Sequence, residues 1–477
     1  MLFHSHEFFA LLSLTLFAFW AFPGGRRASL LLGSLAFYAY SGLAMTALFL
    51  LIVWFSWRCF RWIRSGRRWA MPLGVAVNFA NLFSFKYTGF LLTTLSDLGL
   101  DVGPQLDWVG AHVVLPIGIS FYTFQLVAVL VDEWREPKVE VQNFAEFLLF
   151  ISFFGQLIAG PIMRGHEFLP QLHRLKGPSR DQLVGGILLF ATGLFKKAVI
   201  TDLILAPRVD ALFTGASSWD TPTSWFLGLL FGFQIYYDFS GYVDMALGLS
   251  KMFGLDLRAN FNTPYVSRTP SEFWSRWNIT LSRWFGDYVY IPLGGSKCGH
   301  WRTMRNLLIT MLASGLWHGA GFTYIVWGGI HGLYLAAFHT ARRYAPSVGK
   351  MLSDGNRLQP ALVVSWALTF VVTTIAWVYF RATSVAQANA VVANMFGVGS
   401  GWRSLPLGSL SLLAAVFLSL HFAERFWLDR FEQAVPRLGA WWLRLPGPVQ
   451  ATVLFPLLIM ALGITKKVQG AFIYFQF

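Results

Sequence analysis

His318 and His331 are the side chains best suited to move a proton in this chain. They stand 13 residues apart, in W-H-G-A-G and W-G-G-I-H-G, within otherwise apolar sequence. An imidazole kept from water is neutral, and a neutral imidazole can take the proton of a hydroxyl as that hydroxyl attacks a carbonyl. Ionisable groups at membrane depth are costly to keep, so their presence points first to function. A histidine hydrogen-bonded between helices is the competing account of His318. Packing through its glycine neighbours accounts for His331 equally well. Gly319 and Gly321 allow a kink or a close backbone approach beside His318.

Two carboxylates come next. Asp238 and Asp244 lie in Q-I-Y-Y-D-F-S-G-Y-V-D-M-A, an apolar segment. They could orient an imidazole or a substrate hydroxyl, or serve as anchors paired with Arg or Tyr. Lys86, in L-F-S-F-K-Y, reads as a snorkelling residue. Thr269-Pro270-Ser271-Glu272 has the form of a capping box with proline at the first helical position. It predicts one helix carrying Phe273, Trp277, Leu281 and Trp284 at helical spacing, with Arg276 and Arg283 on another face. Such a helix is either an interfacial helix with snorkelling arginines or the rim of an entrance for an anionic, phosphate-bearing donor.

Other chemistries lack their signatures. There is no HExxH and no histidine pair at i,i+4, which argues against zinc hydrolysis. A GxSxG elbow and a Walker A loop are also missing. The glycines at Gly294–Gly299 are a weak phosphate-loop signal and suit a turn. Cys59 and Cys298 are the only cysteines, too few and too far apart for a disulfide framework or a metal cluster.

The elements that must carry these residues are membrane helices. The chain has 477 residues, 55% hydrophobic and 13% charged, whereas soluble domains are about a quarter charged. Apolar windows of about 20 residues recur, and helices are the only spanning option because strand alternation is missing. The net charge of +14 fits basic cytoplasmic loops better than nucleic-acid binding. Spans are predicted at about 8–22, 30–41, 43–57, 71–95, 112–131, 182–205, 225–253, 306–316, 322–339, 361–380, 405–422 and 449–464. Arg58, Arg61, Arg64, Arg67 and Arg68, with no acid among them, place their loop in the cytoplasm. Ser96–Ala111, with three aspartates and no Lys or Arg, belongs outside, as does the N-terminus. The M-L-F-H-S-H-E-F-F start lacks a basic n-region and reads as the first span, not a signal peptide. Residues 147–172 form an apolar run broken at Gly155, Gly160 and Pro161, which suits a re-entrant element. Lys251 to Arg305 carries eight Lys/Arg against three acids and faces the cytoplasm; sidedness after Arg381 is left open.

Five blocks now carry a resemblance. They are L-P-I-G-I-S-F-Y-T-F-Q (115–125), Q-L-I-A-G-P-I-M-R (156–164), Y-Y-D-F-S-G-Y-V-D-M-A-L-G-L (236–249), the long N-F-N-T-P-Y through I-P-L-G-G (260–295) and G-L-W-H-G (315–319). Together they resemble the membrane-bound O-acyltransferase family, specifically its bacterial alginate O-acetyltransferase branch. The resemblance implies an all-α polytopic bundle of about 11 transmembrane helices with re-entrant and interfacial helices. A single membrane-embedded domain would cover 1–477, with the motifs in 112–340 and flanking helices in 1–111 and 360–477.

The family's histidine falls on His318 and its partner position on Asn278. This chain reads R-W-N where many members of the branch read R-W-H, so Asn278 becomes a hydrogen-bonding orienter and not a second imidazole. Tyr265, Trp317, His331, Asp238 and Asp244 are supporting or channel candidates; Arg276, Arg283 and Lys297 are donor-binding candidates. By resemblance, acetyl-CoA is the donor substrate, with no bound cofactor and no metal. His318 acts as general base or is itself acetylated, and the group passes to periplasmic SGNH-type transferases and an exported polysaccharide. Membrane lipids are the other partners, nucleic acid is not one, and the location is the bacterial inner membrane. The alternatives are peptidoglycan or teichoic-acid acyl transfer, a polysaccharide transporter or export channel, and a scaffold for a secretion complex.

Overall fold

The computed structural model describes residues 1–137, 140–215, 218–345, 360–399, 408, 410–424 and 441. The span expected at 449–464 lies outside them. The described secondary structure is helical. Backbone contacts divide the chain into two compact units. Among the described residues, the first comprises Met1–Leu194 and Tyr242–Arg258, and the second Phe195–Gly241 and Ala259–Trp441.

In the first unit, α1 (His6–Ala21) and α2 (Arg26–Ala39) are bent by 118° at Pro23–Gly25, where proline and two glycines stop the first helix. The next helix, α3 (Leu43–Arg64), runs seven residues past the expected end of its span, because its arginines continue the helix as a polar extension. One of them, Arg64, pairs with buried Glu133 at 2.7 Å. The expected span 71–95 is broken at Tyr87 into α4 (Ala70–Lys86) and α5 (Thr88–Asp97). Lys86 lies 3.5 Å from the Ser120 hydroxyl.

The expected span 112–131 also changes. A separate α6 (Gly103–His112) ends there, and α7 (Ile119–Arg135) begins only after Leu115-Pro116-Ile117-Gly118. Proline disfavours a helical residue before it. Gly118 sits at φ 70, and a Cβ there would stand 2.5 Å from the Leu157 carbonyl oxygen. Leu157 belongs to the interrupted segment, which runs as α8 (Phe144–Ser152), the single turn α9 (Phe154–Leu157) and non-helical chain to Arg164. Residues 146–165 are all buried. Protein covers this irregular backbone, the condition under which such chain is tolerated at membrane depth. The first unit continues with α10 (Gly165–His173).

Next, α11 (Arg180–Phe195) carries the chain into the second unit. There it continues through a ten-residue π-helix, Lys196–Leu205, into α12 (Ala206–Thr214). Then α13 (Thr221–Met252) carries its first 21 residues in this unit. The basic aromatic stretch forms two short helices, α14 (Pro270–Arg276) and α15 (Ile279–Phe285). A hairpin follows, α16 (His300–His318) and α17 (Phe322–Tyr344). Last come α18 (Pro360–Arg381), α19 (Val385–Met395) and a helix at Leu410–Glu424.

Among the described residues, Leu43–Arg64, Arg180–Thr214 and Pro360–Arg381 are each long and apolar enough to cross a membrane. The bent α1–α2 pair makes a fourth if it counts as one span.

Candidate active site

The hairpin α16–α17 builds the site from glycines. A Cβ at Gly315 would lie 2.2 Å from the Tyr324 carbonyl oxygen, and one at Gly328 would lie 2.3 Å from that of Met311. Any larger residue would push the helices apart, so these glycines set how closely the two backbones approach. Gly319 ends α16 in extended conformation, and the Tyr324 ring occupies the place of its Cβ at 2.1 Å. His318 is thereby fixed at the last helical position, only 3% exposed. Its ring meets Trp317 and Trp327 edge-on at 4.9 Å each, and Phe380 at 5.3 Å.

The structure brings His331 to the same cluster. Its ring lies 5.0 Å from Trp327, 5.0 Å from Trp274 and 5.9 Å from Phe273, against which it is stacked. Trp327 therefore stands between the two histidines. His331 Nε2 is buried and makes no hydrogen bond among the described residues.

Asn278 stands where the expected single helix breaks. Its backbone is left-handed, φ 43 and ψ 57, which stops α14 and starts α15. Asparagine tolerates this region better than most residues. The first turn nevertheless forms as the sequence predicts, with Thr269 Oγ1 accepting from the Glu272 N–H. The break is held by the strip 260–262. Asn260 accepts from the Ile279 N–H through its carbonyl and from Thr280 through its side chain, and the Asn262 N–H donates to the Arg276 carbonyl. Asn278 is 2% exposed, and its Nδ2 makes no hydrogen bond among the described residues. Phe273, Trp277, Leu281 and Trp284 are all buried. Phe273 and Trp277 of this stretch belong to the second unit's hydrophobic core. A chain of rings joins the two regions: Trp277 lies 4.8 Å from Trp377, which is stacked on Trp327 at 6.1 Å.

Tyr265 packs against Trp277, Phe273 and His421, and donates its hydroxyl to the Gly232 carbonyl. Its own carbonyl accepts from the Trp366 indole at 2.8 Å. Asp238 is paired with Lys197 at 2.6 Å, and Asp202 with the same ammonium at 2.9 Å. One anchor of Asp238 is thus a lysine of the π-helix. Asp244 belongs to the first unit. Among the donor-binding candidates, Arg276 is engaged by Glu272 at 3.0 Å and by the Asn262 carbonyl, while Arg283 and Lys297 are exposed. Asn306 ties down the glycine turn by donating to the Leu293 and Gly295 carbonyls.

Sequence reasoning passed over Asn260, Lys197, Asp202, His421 and Glu424. Two consecutive lysines inside an apolar window were the visible signal for Lys197. The tie between His421 and the Tyr265 N–H spans 156 positions and had no local trace.

The sequence model of the membrane-bound O-acyltransferase family matches residues 34–381, a stretch that contains both His318 and Asn278. The chain belongs to that family. As a member, it is a multi-pass membrane protein and an acyltransferase. It is 34% identical to "Probable alginate O-acetylase AlgI" of Pseudomonas putida, over 95% of this chain and 94% of that one. It is 35% identical to a peptidoglycan O-acetyltransferase of Helicobacter pylori over 74% of this chain and 68% of the relative. A teichoic acid D-alanyltransferase of Streptococcus thermophilus is 30% identical over 46% of the acyltransferase described here and 55% of its own length.

Proposed function

We propose that this acyltransferase moves acetyl groups from a cytoplasmic thioester, acetyl-CoA, across the bacterial inner membrane for O-acetylation of an exported polysaccharide. The observation that carries this reading is His318, held buried at a glycine-built helix end within the family region of a chain that matches an alginate O-acetylase almost end to end. Neutral His318 takes the proton of the acceptor hydroxyl as its oxygen attacks the thioester carbonyl. The C–S bond breaks, the ester forms, and the proton passes from the imidazole to the departing thiolate. Asn278 positions the carbonyl or the imidazole. A general base supplies about 10²–10⁴-fold, so fixed geometry must supply most of the remaining acceleration.

About 11 spans, an outside N-terminus and a cytoplasmic 251–305 face go with this reading. A periplasmic SGNH-type transferase is the partner that takes over the acetyl group. The Helicobacter relative supports peptidoglycan as a second acceptor class.

The test is polymer-bound acetate in cells carrying wild type or His318→Ala at matched membrane levels. Acetate lost while polymer secretion continues is the expected result. Acetate retained would remove His318 from the chemistry, and a stop in secretion itself would favour an export channel.

A further inference from the structure

The aromatic cluster around His318 contains hydrogen-bond donors with nothing to donate to. The indole Nε1 atoms of Trp274, Trp277, Trp327 and Trp377 are buried and make no hydrogen bond among the described residues. A buried donor left unpaired is costly, and native proteins pair nearly all of them. Four such donors in one ring cluster call for an acceptor other than the protein's own carbonyls. Of the four, only Trp327 touches His318. Its ring is fully buried and lies 4.9 Å from His318 and 5.0 Å from His331. Gly328, next in the chain, fixes its place by packing on the Met311 carbonyl.

Resting on the acyl-transfer reading above, we infer that Trp327 is a further catalytic residue. Its indole N–H donates to the carbonyl oxygen of the thioester attacked by the hydroxyl that His318 deprotonates. As the acceptor oxygen bonds to the carbonyl carbon, the C=O electron pair moves onto oxygen and becomes an oxyanion. The C=O bond re-forms as the C–S bond breaks, and the hydroxyl proton, held meanwhile by His318, goes to the thiolate. A donor aimed at that oxygen strengthens as charge develops there, so it acts on the rate more than on substrate affinity. An indole suits a dry site because it donates without carrying charge or offering an acceptor.

The test replaces Trp327 alone by benzothienylalanine, which keeps the bicyclic shape and exchanges N–H for sulfur. Acetyl transfer is measured in membranes of the full chain, with Trp377→benzothienylalanine and His318→Ala alongside. The inference expects kcat to fall about 10²–10³-fold at position 327 with KM nearly unchanged. Little change is expected at 377, whose indole is equally unpaired but does not touch His318. An unaltered kcat at 327, or an equal loss at both positions, would overturn it. If the analogue fails to accumulate, 6-fluorotryptophan and Trp327→Phe serve as the pair that keeps and removes the donor, with the same two outcomes. Loss in His318→Ala with none at 327 sinks this inference alone. Retention in His318→Ala sinks the reading beneath it.

Discussion

In the proposed mechanism, Asn278 is the residue where backbone and chemistry meet. At φ 43 it has the geometry that glycine adopts freely and that most L-residues adopt at a cost of about 1–2 kcal/mol. Two substitutions separate its roles. Asn278→Gly keeps the turn and deletes the amide, so membrane level and thermal stability should stay near wild type while acetyl transfer is lost. Asn278→Ala deletes the amide and adds strain, and should lose about 1 kcal/mol more stability than the glycine variant in detergent unfolding. If Asn278→Gly transfers acetyl normally, Asn278 is a turn residue only. The sequence made Asn278 visible through the block in which it sits. Its conformation was hidden, because the ring spacing from Phe273 to Trp284 is that of an unbroken helix. The pairing of Asn260 with 279–280 overrides that periodicity.

At the scale of elements, the π-helix Lys196–Leu205 is the least ordinary segment. Such segments are rare and often mark functional positions. Here two lysines of the segment meet three carboxylates. Lys196 meets Glu424 at 2.6 Å, and Glu424 also accepts from the Tyr236 hydroxyl. Lys197 meets Asp202 and Asp238, all three side chains being buried. Lys197 is the cation that these two buried carboxylates share. Removing the cation should therefore be far worse than removing one anion. Lys197→Met is expected to lose about 3–5 kcal/mol in detergent unfolding, whereas Asp202→Asn, which keeps the Lys197–Asp238 pair, should stay within about 1 kcal/mol of wild type. Equal losses in the two variants would show that the ammonium is not the centre of the cluster. Element boundaries were legible where chemistry is local, as at the Thr269 cap and over Pro360–Arg381. They were not where distant chain decides: α7 starts late because Gly118 packs on Leu157, a contact that hydropathy does not register.

In the proposed function, the molecule as a whole carries an acyl group from one side of a membrane to the other. Three described helices are apolar enough by themselves to span. The helices bearing His318, His331 and Asp238 dilute their apolar character with these polar residues. The family was legible from five blocks between Leu115 and Gly319, and the match over 34–381 covers them. The division into two compact units was not legible, since α13 is one uninterrupted helix that contributes to both. The central claim, that His318 serves transfer across the bilayer, is tested most directly in sealed inverted membrane vesicles. Labelled acetyl-CoA is supplied on the exposed cytoplasmic face, with acceptor polysaccharide and periplasmic transferase trapped inside. The account predicts label on the trapped polymer with wild type and a loss of at least about 10²-fold with His318→Ala at equal protein level. Equal labelling by the two proteins would contradict it.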